Sequence, residues 1–231
     1  MDALATLRSL RSFRPGIAYV LDNLYLAPTA RSPAARTMRS CRGAAFARTD
    51  AGLAPLPASR AAQQTARNNG FVALPDGAPE PTAAELAALV SEWSAATGAE
   101  RVVFQGNGDP LAAATVVIDT VRASSPDVNF RLNTLGLASA ATVDALFASG
   151  PLVDTVSVFL AAADAATYDA LLEPQEGGFD DVCAFVRRAA ASGVRVVECT
   201  AVDRPDVSIE DVEALAMSLG ATQFRTRSYL G

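Results

Sequence analysis

Residues 101–134 read RVVFQGNGDPLAAATVVIDTVRASSPDVNFRLNT. Two short runs rich in β-branched and aromatic residues, at 101–105 and 129–134, flank a run at 110–123 whose apolar positions recur at helical spacing. Strand, turn, helix, strand is the repeating unit of a parallel sheet, because parallel neighbours need a crossover long enough to hold a helix. The unit continues downstream. A helix is expected over 139–148, then a strand TVSVFLA (155–161), helical segments at 164–172 and 179–192, a strand VRVVECTAV (194–202), a helix at 208–219 and a last strand TQFRTRSYL (222–230). Upstream, Thr82 and Glu85 form a capping box that opens a helix ending at Gly98, and NLYLA (23–27) supplies the earliest strand. Six strands alternating with helices define an α/β protein. They are too few for a closed eight-stranded barrel, which leaves a partial barrel or an open doubly wound sheet.

Half of the 231 residues are hydrophobic, enough for one well-buried core, and no apolar run is long enough to span a membrane. All 19 basic residues are arginine, which reads as coding bias. The absence of histidine excludes imidazole metal sites and histidine-dependent triads. Cys41, Cys183 and Cys199 are too far apart for a CxxC motif and read as small buried hydrophobes. Charge is uneven. Residues 1–70 hold ten arginines against Asp2, Asp22 and Asp50, a balance of +7, and the remainder carries −13. The opening MDALATLRSLRSFRPG reads equally as an organellar presequence, mitochondrial or plastid, and as an N-terminal helix. Residues 1–22 are accordingly taken as an N-terminal arm and 23–231 as one domain, interrupted by an irregular Arg/Pro-rich insertion at about 28–68. That basic insertion is the expected contact arm for protein partners. Its arginines lack interleaved aromatics, so no nucleic-acid role follows.

Ligands of parallel α/β folds bind beyond the carboxyl ends of the strands, which singles out the residues following each strand. After 101–105 come Gly106, Asn107, Gly108 and Asp109, where two glycines permit close backbone approach; the plainer reading is a βα turn capped by Asp109 with Pro110 at the first helical position. Asn133, Ser157, Arg225 and Arg227 are further polar candidates at that end. Arg225 and Arg227 share a face of their strand by alternation. Facing inward they require an anion, either Asp109 or a bound ligand; facing outward they are merely solvated.

The ordered set FQGNGDP, RLNTLGLAS, VSVFLAAADAATYDALLEP and GATQFRTRSYLG resembles the radical S-adenosylmethionine (SAM) proteins associated with the TatD family, over about residue 69 onward plus NLYL at 23–26. The likeness implies a partial (β/α)6 barrel. It also implies three thiolates of a CxxxCxxC loop holding a [4Fe-4S] cluster after the first strand. Here the corresponding positions are Ser32, Arg36 and Arg39. The family's polar groups are also replaced by the shorter Asp109, by Leu135 and by Ala161. No iron–sulfur cluster and no obligatory cofactor are therefore expected. The expected function is a catalytically silent scaffold or accessory subunit. The alternative is a cluster-free module or enzyme that binds SAM or a nucleotide on Gly106–Gly108, and a working radical enzyme would need ligands from a partner.

Overall fold

The computed structural model describes residues 2–43, 73–75 and 77–231. Among them lie seven strands: β1 (Ala18–Val20), β2 (Leu24–Leu26), β3 (Arg101–Phe104), β4 (Asn129–Thr134), β5 (Thr155–Phe159), β6 (Val196–Asp203) and β7 (Gln223–Ser228). They form one sheet in sequential order, parallel from β2 to β7, with β1 antiparallel to β2. A doubly wound sheet reverses its strand order partway. This one does not.

The described helices are α1 (Ala3–Ser9), α2 (Met38–Cys41), α3 (Ala83–Thr97), α4 (Ala114–Ala123), α5 (Ala140–Phe147), α6 (Ala165–Leu172), α7 (Phe179–Ala191) and α8 (Ile209–Ser218), with a 3-10 turn at Pro110–Ala113 ahead of α4. The capping box of α3 is present. Thr82 Oγ1 accepts from Glu85 N, Glu85 returns a carboxylate oxygen to Thr82 N at 2.8 Å, and Gly98 closes the helix in the left-handed conformation. Leu86, Leu89, Val90 and Trp93 line its buried stripe.

Register fixes which side chains share a face. Val102, Leu132, Val156, Val197 and Cys199 lie on one side, fully buried. With strands in sequential order, right-handed crossovers carry every intervening helix to the same side, so this is the face the helices cover. The opposite face carries Arg131, Asn133, Ser157, Glu198, Thr200, Arg225 and Arg227, set side by side by the pairings Asn133↔Ser157↔Glu198, Thr200↔Arg225 and Val202↔Arg227.

The structure departs from the expected layout in three places. β1 is a strand the sequence reading omits, a hairpin partner of β2 turned by Leu21–Asn23, where Leu21 N donates to Asn23 O at 3.1 Å. The 1–22 segment, expected as an N-terminal arm or presequence-like helix, includes the helix α1, and its Leu7, Ile17, Ala18 and Val20 are buried in the main core. Of the 28–68 insertion, residues 28–43 are folded against the body and 44–68 lie outside the described residues. Ala35 N and Arg36 N donate to the carbonyls of Glu173 and Leu172, Leu230 N donates to Arg42 O at 2.7 Å, and Arg204 donates to Cys41 O at 3.0 Å. The segment following β2 therefore spans the carboxyl ends of the strands as far as β7.

Candidate functional site

A cleft of about 120 Å³, open to solvent, sits at the carboxyl ends of the parallel strands. Gly106, Asn107, Gly108, Asp109, Asn133, Ser157, Arg225 and Arg227 all line it, so the structure gathers every candidate residue at one place. The segment after β2 contributes Ser32, Thr37, Met38 and Arg39, and Leu135, Phe159 and Thr200 complete much of the wall.

Asp109 caps the 3-10 turn through Leu111 N at 2.9 Å, and it also accepts from Thr134 Oγ1 at 2.7 Å and Leu135 N at 2.5 Å. Its carboxyl joins the end of β3 to the end of β4 and is consumed inside the protein. Burial pushes its pKa up, and the three donated hydrogen bonds oppose that. The close approach that Gly106 and Gly108 permit is to the chain itself. A Cβ at Gly106 would meet Ala27, one at Gly108 would meet the backbone of Ala30 and Arg31, and Asp109 N donates to Arg31 O at 2.8 Å.

The anion for Arg225 is Glu198, not Asp109. Arg225 Nη2 donates to Glu198 Oε1 at 2.7 Å, Arg131 Nη2 to the same oxygen at 2.5 Å, and Ser157 Oγ to it at 2.6 Å. The Glu198 side chain is 7% exposed, so its charge is viable only with such partners. Burial pulls its pKa upward; the Ser157 hydroxyl and the guanidiniums of Arg131 and Arg225 outweigh that and hold it below the ordinary glutamate range. Arg131 also donates from Nε to Asn133 Oδ1 at 2.7 Å, which orients the amide so that Asn133 Nδ2 donates to Gln105. One polar chain thus runs Gln105, Asn133, Arg131, Glu198, Arg225 across the ends of β3, β4, β6 and β7.

Sequence reasoning omitted Gln105, Arg131 and Glu198. The signal for Glu198 is present: it is the only charged residue within the apolar run 196–202. A lone acid in a buried strand implies a cation from another strand. Which strand it comes from is a matter of register.

The positions that a cluster loop would fill are differently used. Ser32 Oγ donates to Ala34 O at 2.9 Å, Arg36 pairs with Glu173 at 2.7 Å outside the cleft, and Arg39 lines the cleft. All three cysteines are buried and free, as expected. The Cys41 thiol donates to Leu171 O and is pushed up to about 11 by burial. Cys199 lies on the sheet face opposite Glu198 and is pushed up to about 12, again chiefly by burial. Burial likewise raises Cys183. A thiol must lose its proton to ligate metal, and these three environments oppose that. Among the described residues, no helix is long and apolar enough to cross a membrane. No family model matches the chain, and no curated protein matches it.

Proposed function

We propose that this chain is a cluster-free relative of the radical SAM proteins that performs no radical chemistry and uses the retained cleft to bind a small ligand. The partial-barrel part of this reading is supported by burial. The helices cover one face, yet Thr155, Ser157, Phe159 and Thr200 on the other face are also buried, as in a sheet that curves around its own inner side chains. The loss of radical chemistry is supported by the donor set. The residues present do not fit a cubane site, because the three thiols lie far apart in sequence and are each buried, and the loop positions carry one hydroxyl and two guanidiniums.

The observation that carries the binding reading is the Arg131–Glu198–Arg225 cluster, of which Arg225 lines the cleft. A buried carboxylate shared by two arginines contributes little net stability compared with an apolar substitute, and a shell kept only for shape has no use for it. At a ligand site the same cost purchases fixed donors. The scaffold reading retains one specific support: Leu135 and Ala161 bring apolar surface to places where the resembled family carries polar groups. On that reading the basic 28–68 segment is the contact for protein partners.

Thermal-shift titration with SAM, S-adenosylhomocysteine and adenine nucleotides separates the two. A ligand at a hundred times its Kd adds about 2.7 kcal/mol to stability and raises Tm, and a flat response at millimolar concentration leaves the scaffold. Anaerobic reconstitution with iron and sulfide is expected to give neither cubane spectroscopic signals nor 5′-deoxyadenosine from SAM; either one would overturn the loss of radical chemistry.

A further inference from the structure

The β6–β7 side of the cleft carries more positive charge than it neutralises. Arg131 and Arg225 direct donors to the same oxygen of Glu198, so two guanidiniums share one carboxylate. Arg227 adds a third. Its side chain lines the cleft beside Arg225, and its Nε is buried without a hydrogen-bond partner among the described residues. Burial lowers its pKa first, repulsion from Arg225, Arg42 and Arg131 lowers it further, and Glu198 pulls it upward. Arginine does not shed its proton to escape such a place. The acid that lines the cleft, Asp109, is already engaged by three donors of its own.

Building on the ligand-cleft reading, we propose that the Arg225–Arg227 side of the cleft is a phosphate subsite and that the ligand is a phosphomonoester with an apolar body, of the kind a nucleoside 5′-monophosphate provides. A phosphomonoester carries about −1.5 to −2 near neutral pH, which suits a cleft lined by Arg39, Arg225 and Arg227, where Asp109 is the one acid among the lining residues and Arg225 is shared with Glu198. Planar guanidinium forks suit a phosphate's several oxygens. Met38, Leu135 and Phe159 in the lining offer apolar surface against which the body could lie. SAM carries sulfonium and ammonium groups against one carboxylate and is net positive, so the same wall disfavours it. The chain's overall charge of −6 does not cancel the local attraction, because a phosphate at contact lies well inside the Debye length of about 8 Å. Glu198 acts as a positioning residue here, holding Arg131 and Arg225 in place.

The test is calorimetric and thermal-shift titration of the full chain with AMP, adenosine, inorganic phosphate and SAM, repeated on Arg227→Met and on Arg122→Met, an exposed arginine of α4. AMP is expected to bind well above adenosine and SAM, with inorganic phosphate competing and added salt weakening the complex. Arg227→Met is expected to weaken AMP by about tenfold to a hundredfold, the worth of one or two charge-assisted hydrogen bonds, leaving adenosine unchanged. Without ligand its Tm should rise, since a repelled and partly buried cation has been removed. Should that variant fail to fold, Arg227→Gln carries the same reading. Arg122→Met should match the parent. Equal binding of AMP and adenosine, or undiminished AMP binding by Arg227→Met, overturns the phosphate subsite while the ligand cleft stands. No response to any of the four compounds overturns the cleft reading, and the subsite with it.

Discussion

At the scale of single residues, Glu198 decides how the cleft is organised. One buried oxygen gathers Arg131, Arg225 and Ser157. Glu198→Gln keeps the shape but removes the charge, leaving two guanidiniums facing each other. Stability is expected to fall by about 3 kcal/mol, measured by urea unfolding at pH 7. A loss below about 0.5 kcal/mol would mean that solvent already screens the cluster. The pH dependence has a definite sign. Because the folded pKa of Glu198 lies below its unfolded value of about 4.3, its contribution is complete above that pH and is lost as pH falls through the folded value. The Gln variant should therefore lose less stability than the parent on acidification below about pH 4.3. Asp109 acts in the opposite sense, since burial raises its pKa and its ionised form grows costlier as pH climbs from about 3.9 through the folded value.

At the scale of elements, the turn after β3 and the segment after β2 are a single construction. Gly106 and Gly108 are bare on the side where residues 27–31 run past them, and Asp109 N bonds to Arg31 O. Gly108→Ala would drive a methyl group into the backbone of Ala30 and Arg31, which cannot rotate aside as a side chain would. The expected cost is about 1–3 kcal/mol in thermal unfolding, together with displacement of Ser32 and Arg39 at the rim of the cleft. An unchanged Tm would show that the two segments are not tightly apposed. This also explains a limit of sequence reading: a Gly-Asn-Gly turn reads the same whether ligand or chain approaches it, and here the chain does.

At the scale of the molecule, the N-terminal residues belong to the body. Leu7 of α1 is fully buried, and Ser12 N and Oγ donate to the two carboxylate oxygens of Glu92 on α3 at 3.1 and 3.0 Å. Leu7→Ala is expected to cost about 2–5 kcal/mol, as for a core leucine; an unattached arm would tolerate the change without effect on Tm. The sequence hides this membership because amphipathic Leu/Arg spacing serves a presequence and a docked helix equally. The strand Ala18–Val20 is only three residues long and escapes periodicity for lack of length.

The chain by itself determined what local rules govern. Helix caps at Thr82 and Ser208, strands where β-branched runs occur, and the helix–strand alternation that compels parallel pairing are all readable within a few residues of each position. Tertiary structure alone decided that the strands lie in sequential order, that Glu198 and not Asp109 answers Arg225, and that Arg227 is left with a buried donor. The reason is physical. Those outcomes depend on register between strands that lie 27 to 67 residues apart, and on which groups packing has already engaged. Neither leaves a trace in local periodicity.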